Sequence, residues 1–190
     1  STPIKSSAAS DVYKRQGMIG SYGNRCANMG VANADLLIAL GTRLDTRQTG
    51  ARLDQFLSNG HIIHVDIDDN ELEYHRLLNR KKVNCTIDCF LQKEKEMPIS
   101  LGDISEWNFF LHGLKQRYGQ DAEIERFVEN KSPYRFMQYF DSLTQTDDVI
   151  CADIGQNQMW AAQTLRLKSG QKFVTSGGPV SYTHLTLPTT

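Results

Sequence analysis

Apolar residues fall in short dense runs separated by amphipathic stretches. Asp35-Leu-Leu-Ile-Ala-Leu-Gly41 closes on glycine, and His61-Ile-Ile-His-Val-Asp-Ile67 runs into acids. Asp148-Val-Ile-Cys-Ala-Asp153 and Lys172-Phe-Val-Thr175 are two more such runs. Runs of this kind suit strands covered on both faces, as in a parallel sheet. Helical spacing fills the gaps: Asn24 to Ala34, Glu71 to Leu78, and Ile104, Trp107, Leu111 and Leu114. Asp103-x-x-Glu106 ahead of the last reads as a capping box. Ser132-Pro133 predicts a helix start, with Ser at the N-cap and Pro in the first turn, ahead of Phe136, Phe140 and Leu143. Strands alternating with helices predict an α/β fold with a parallel sheet.

Three segments break the pattern. Residues 119–131 are polar and acidic without an apolar period, which predicts a linker between two α/β units. Residues 1–16 and 179–190 are aperiodic. Flexible natural termini are one reading of them. The other is translated adapter or vector sequence, because SDVYKRQ and VSYTHLTLPT resemble end segments that recur on unrelated gene fragments. On that reading the native part is about residues 17–178.

Composition narrows the classes. Of 190 residues, 39% are hydrophobic and 23% charged, which argues against a disordered chain. The 21 Lys+Arg nearly balance 22 Asp+Glu, so no basic excess draws nucleic acid or a membrane surface. The longest basic run, Arg80-Lys81-Lys82, is expected as a solvated loop. No apolar stretch reaches the ~18–20 residues of a membrane span. Cys26, Cys85, Cys89 and Cys151 form no CxxC pair. They are expected as reduced cytoplasmic cysteines, packed as small apolar residues.

Three constellations carry possible chemistry. Gly17-Met-Ile-Gly20-Ser-Tyr-Gly23 precedes a helix, where glycines let backbone N–H groups approach a phosphate. A tight turn is an equal reading. Asp66, Asp68 and Asp69 end the second apolar run, and ligands of open α/β sheets sit outside the carboxyl ends of strands. Asp66 is open between ribose acceptor and helix cap, while Asp69 is read as a cap. In Asp153-Ile-Gly-Gln-Asn157 a strand end, a glycine and two amides open a helix. That suits a phosphate, or a buried turn with polar caps. His61 and His64 point to opposite faces of a strand and cannot share an ion. His75 and His112 are expected at the surface, and no GxSxG, P-loop or HExxH is present.

Taken together, GMIGSYGNRCANMGVANADLLIALGTRLDTRQTG, IIHVDID, and ADIGQNQMWAAQ with VTSGG resemble the acetolactate (acetohydroxyacid) synthase large subunit. More broadly they are similar to thiamine-diphosphate-dependent decarboxylases and carboligases. The resemblance implies a Rossmann-like central domain over 17–118, incomplete at its N-terminus, a linker at 119–131, and the start of a diphosphate-binding domain over 132–178. It implies thiamine diphosphate contacts at Ile154, Gly155, Gln156 and Asn157. FAD or nucleotide contacts would be Gly20, Ser21, Tyr22, Gly41, Thr42, Arg43, Asp45, Asp66, Ile67 and Asp88.

The implied reaction decarboxylates a 2-keto acid such as pyruvate and condenses the product with an acceptor carbonyl, in branched-chain amino acid biosynthesis. Mg²⁺ and a homo-oligomeric parent, dimer or tetramer, come with it. Departures from the family pattern are present. Asn157 stands for the His of GQHQMW, Thr46 for the second Asp of GARFDDRVTG, and Gln48 for its Val. They suggest a divergent relative, of a saccharide-associated type. PVSYTHLTLPTT stands where the family continues toward a GDG…N metal site, and the activating glutamate is missing. The fragment alone is therefore expected to be inactive, with no catalytic or metal-binding residue of its own. The rival expectation is a non-catalytic FAD- or adenine-nucleotide-binding module, with Arg43 and Asp66 on adjacent strands.

Overall fold

The computed structural model describes residues 16–74, 76–77, 80–98, 102–127, 129 and 132–175. The chain divides between Gly119 and Gln120 into two compact units. The first holds helix α1 (Arg25–Ala32), strand β1 (Leu36–Leu40), the short helix α2 (Thr46–Thr49) and a 3-10 turn at Leu53–Gln55. It continues with β2 (His61–Asp66), α3 (Asp69–Glu73), β3 (Arg80–Asn84), α4 (Ile87–Glu96) and α5 (Ser105–Tyr118). Its sheet is parallel in the order β1-β2-β3, with Leu36 opposite His61 and Val65 opposite Val83. The apolar runs 35–41 and 61–67 thus become neighbouring strands. Their inward residues Ala39 and Ile62 join Leu44, Leu57 and Leu77 in the core, with Leu53 and Phe56 packed against it.

The run Arg80-Lys81-Lys82 lies in β3, not in a solvated loop. β3 pairs on one side only within the described sheet, so its outward positions carry charge, a usual treatment of an edge strand. Only Val83 is apolar there, so no apolar run announces the strand. The expected capping box of α5 does not form: Ile104 stands at the N-cap without a side-chain bond. The Asp103 carboxylate instead accepts from the Ser105 amide at 2.9 Å, and these bonds hold its carboxyl below the usual carboxylate range. α5 packs on α1, where the Arg25 guanidinium lies 4.5 Å from the Tyr118 ring centroid.

The second unit contains α6 (Gln120–Phe127), α7 (Pro133–Leu143), β4 (Val149–Ala152), α8 (Gln156–Thr164) and β5 (Lys172–Thr175). The segment read as a linker therefore contains a helix. One buried side chain, Ile124, anchors α6, and a single anchor leaves no period to read. Ser132 caps α7 by accepting from the Tyr134 amide at 3.3 Å, with Pro133 as its first residue. β4 and β5 pair in parallel over Ile150, Ala161 and Leu165. The Lys168 ammonium closes the far end of α7, donating to the Asp141 carbonyl at 2.9 Å and the Thr144 hydroxyl at 3.0 Å.

The cysteine expectation holds for buried Cys26, whereas Cys89 and Cys151 are exposed. His61 and His112 are exposed, while His64 is buried. His75 and the segments 1–15 and 176–190 lie outside the described residues. Among the described residues no helix is long and apolar enough to cross a membrane.

Candidate functional site

Two strand-to-helix turns carry the residues singled out in the sequence. In the first unit, Gly41, Thr42, Arg43 and Asp45 follow β1, Asp66 ends β2 with Ile67 just after it, and Asp88 lies in the first turn of α4. All stand at the carboxyl edge of one parallel sheet. The Gly20 loop joins them, because the Ser21 amide donates to the Arg47 carbonyl at 2.8 Å. Gly20 sits at φ +100°, and a Cβ there would approach the Gln48 Cα within 2.7 Å. Glycine is required at that position for both reasons.

The polar groups of this edge are already engaged with one another. Asp45 caps α2, accepting from the Arg47 amide at 2.9 Å and the Gln48 amide at 3.1 Å. Gln48 returns the contact: its side-chain oxygen accepts from the Asp45 amide at 3.2 Å, and its NH₂ donates to the Thr42 hydroxyl at 3.1 Å. The Gly20 amide donates to the Asn28 side chain at 2.7 Å. The Asp66 carboxylate accepts from the Asp68 amide at 2.9 Å. Arg43 pairs with Glu71 at 3.1 Å, not with Asp45 or Asp66. Asp68, rather than Asp69, caps α3, and the Asn84 side chain donates to the Asp69 carboxylate. Tyr22, Ile67 and Asp88 are exposed. A hollow of about 450 Å³ adjoins Gly20 and Ser21 but is lined by α1 and the 50–57 segment, not by Gly41, Arg43 or Asp66.

His64 and Arg80 are the residues of this region that sequence reasoning missed. His64 is fully buried in β2, with Nε2 2.8 Å from the Thr42 carbonyl oxygen. The Arg80 Nε–H donates to His64 Nδ1 at 3.1 Å. The same guanidinium donates to the carbonyls of Leu72 and Leu77. Burial lowers the Arg80 pKa, partly opposed by the nearby Glu73 carboxylate. The only available signal was the opposite facing of His61 and His64, which does not say which one is inside.

The turn of the second unit differs. β4 ends at Ala152, and α8 begins at Gln156 with Gly155 at its N-cap and no side-chain cap bond. Gly155 has φ +140°, and a Cβ there would lie 3.0 Å from Asn157 Oδ1. Gly155, Gln156 and Asn157 are exposed, Ile154 half-buried. An uncapped helix start leaves backbone donors and the positive end of the helix dipole facing outward from the strand's carboxyl end. Behind it, the Tyr134 hydroxyl donates to the Gln163 side chain at 2.7 Å, and burial raises the Tyr134 pKa.

The cradle at Gly155, which a Cβ would crowd, and the uncapped first amides of α8 fit a diphosphate, whereas the Ile154 amide before them donates to the Asp153 carboxylate at 2.7 Å. At the edge of the first unit, Thr42, Arg43, Asp45 and Asp66 each have an internal partner. Among the described residues no three His, Cys, Asp or Glu side chains gather to hold a metal.

Residues 2–89 match the family described as the thiamine pyrophosphate enzyme central domain, and the parallel sheet of the first unit agrees with it. Residues 2–89 are thus similar to the central domain of the thiamine pyrophosphate enzymes. The match begins at residue 2, ahead of Gly17 where the motif resemblance starts. Among that family's members the chain resembles acetolactate synthases. It is 35% identical over 164 residues to acetolactate synthase 2, chloroplastic, of Brassica napus, across 85% of this chain and 25% of that protein. It is 34% identical over 169 residues to the Porphyra purpurea acetolactate synthase large subunit, across 85% and 27%. With the Corynebacterium glutamicum large subunit it shares 33% over 165 residues, across 85% and 26%. The chain spans about a quarter of the length of these relatives.

Proposed function

We propose that this chain is part of a thiamine-diphosphate-dependent carboligase of the acetolactate synthase kind, and that the turn between β4 and α8 receives the diphosphate. The observation that carries this reading is the uncapped start of α8 beside Gly155. When bound, thiamine diphosphate supplies the electron sink through which a 2-keto acid such as pyruvate loses CO₂ and adds to an acceptor carbonyl. The protein's part at this turn is to bind and orient. Gly155 lets the backbone come close, the first amides of α8 donate to phosphate oxygens, and the Asn157 side chain adds one neutral donor. Ile154 borders the turn. Mg²⁺ belongs to the proposal as the diphosphate's counter-ion. A homo-oligomer, small-molecule substrates and a place in branched-chain amino acid synthesis belong to the longer protein. FAD is left out of the proposal, since Thr42, Arg43, Asp45 and Asp66 are each engaged internally and nothing favours it. Cytoplasmic residence is left as the composition suggests it; the Brassica napus relative is chloroplastic by name.

Calorimetric titration of thiamine diphosphate with Mg²⁺ into the chain tests the proposal. Wild type is expected to bind, and Gly155→Val to lose about tenfold or more in affinity, since its side chain meets Asn157 and the backbone is strained. Equal affinity in the two proteins would remove the turn from the site.

A further inference from the structure

Strand β1 bonds to β2 through alternate residues. The Gly41 amide donates to the Val65 carbonyl at 2.9 Å, and the His61 amide donates to the Asp35 carbonyl at 2.8 Å. In a parallel ladder a residue directs its N–H and C=O to the same side, so Asp35, Leu37, Ala39 and Gly41 face β2. The N–H and C=O groups of Leu36, Ile38 and Leu40 therefore face the opposite edge, where no strand pairs with β1 among the described residues. The two edges of this sheet are built differently. β3 guards its own with Arg80, Lys81 and Lys82, whereas β1 runs Leu-Leu-Ile-Ala-Leu without charge, proline or bulge. An apolar strand with an unguarded edge is a template for another strand. We propose that β1 is a docking edge for a second copy of this chain, which adds its own β1 antiparallel across a two-fold axis at Ile38. The inference does not depend on the diphosphate reading above.

A second copy fits because this edge is its own complement. With Ile38 opposite Ile38 of the copy, Leu36 falls opposite Leu40 and Leu40 opposite Leu36. All of these are residues whose backbone groups face outward. Each pair is then of the hydrogen-bonded antiparallel kind, in which two residues exchange both N–H···O bonds. The two-fold relation uses the same patch on both chains and closes on itself, so the product is a dimer rather than a fibre. Charge favours the antiparallel sense. Asp35 precedes the strand and Arg43 follows it, both exposed and with no charged residue between them. Reversing one copy brings Asp35 of each toward the Arg43 end of the other, so opposite charges meet at both ends, whereas a parallel sense would set like charges together. The side chains of Leu36, Ile38 and Leu40 are half-buried in the single chain and lose further water beside their counterparts. The two sheets become one, of order β3-β2-β1-β1-β2-β3, with the basic strands at its outer edges.

Amide exchange followed together with sedimentation equilibrium tests this on the chain itself. The amides of Leu37 and Ala39 face β2 and are expected to be protected at every protein concentration. Those of Leu36, Ile38 and Leu40 are expected to gain about tenfold or more in protection as concentration rises through the range where the sedimenting mass doubles. Ile38→Pro removes an outward N–H and leaves the ladder to β2 whole. It is expected to raise the dimer dissociation constant about tenfold or more. Asp35→Lys serves if the proline variant does not fold, and is expected to weaken the dimer severalfold at low salt and less at high salt, where the new repulsion is screened. A mass that stays monomeric, or outward amides that are never protected, would overturn the proposal. Outward amides protected at all concentrations would overturn it as well, because a strand of the same chain would then cover the edge. A dimer that neither variant weakens would place the contact elsewhere and end the proposal too.

Discussion

The turn after β1 and the turn after β4 occupy the same place in their sheets, at the carboxyl end of a parallel strand and ahead of a helix. Sequence makes them look alike, since each has a glycine and amide or acidic side chains. The structure separates them. At β1 the chain spends its polar groups on itself: Asp45 and Gln48 close a capping box, Gln48 reaches Thr42, and His64 holds the Thr42 carbonyl. At β4 the helix start has no side-chain cap. A turn whose donors are internally paired holds the fold, and one whose donors are left outward is free to hold an anion. That difference is a better guide to a site than the glycine.

The sharpest way to break the comparison is Gly20→Ala. The added Cβ meets the Arg47 carbonyl and the Gln48 backbone at a φ of +100°, so backbone must move. A loss of about 3 kcal/mol in urea unfolding is expected from strain and overlap together. A loss below about 0.5 kcal/mol would show that the Gly20 loop is not docked on α2. Next in size is Asp45→Ala, which deletes the cap of α2 and is expected to cost about 1 kcal/mol. No measurable loss there would dissolve the distinction between a turn closed by its own side chains and an open one. The smallest stability effect belongs to Asn157→Ala. Its side chain is exposed on the first turn of α8, so stability should stay within about 0.5 kcal/mol of wild type. Its thiamine diphosphate affinity should nevertheless fall severalfold, as one neutral hydrogen bond is lost. A variant that is destabilised yet binds as before would reverse the roles of the two turns.

Four of the five strands were readable because each is a compact apolar run, although Val149 of β4 and Val174 of β5 stay exposed. β3 was not, because an edge strand spends most of its positions on solvent and holds its place through Arg80. α6 was not, because one buried isoleucine is enough to seat a short helix. The start of α7 was fully legible, since Ser132 and Pro133 act locally. The same rule sorts the site residues. The glycine-led start of α8 is a local feature, and the sequence showed it. The pairing of Arg43 with Glu71, of Gly20 with Asn28 and of Ser21 with Arg47 joins separate elements, and only the fold could reveal it. The expectation that Asp69 caps α3 missed by one residue because Asn84, from the next strand, claims that carboxylate.

The distribution of thiols gives the protein a built-in pair of labelling handles. Cys89 lies exposed on α4 in the first unit and Cys151 exposed on β4 in the second, while Cys26 is buried and Cys85 half-covered. Limited reaction with a mixed donor and acceptor maleimide would therefore favour one dye on each unit without any engineered residue. Energy transfer between them, followed as thiamine diphosphate is added, would read how ligand binding changes the separation of the two units in solution.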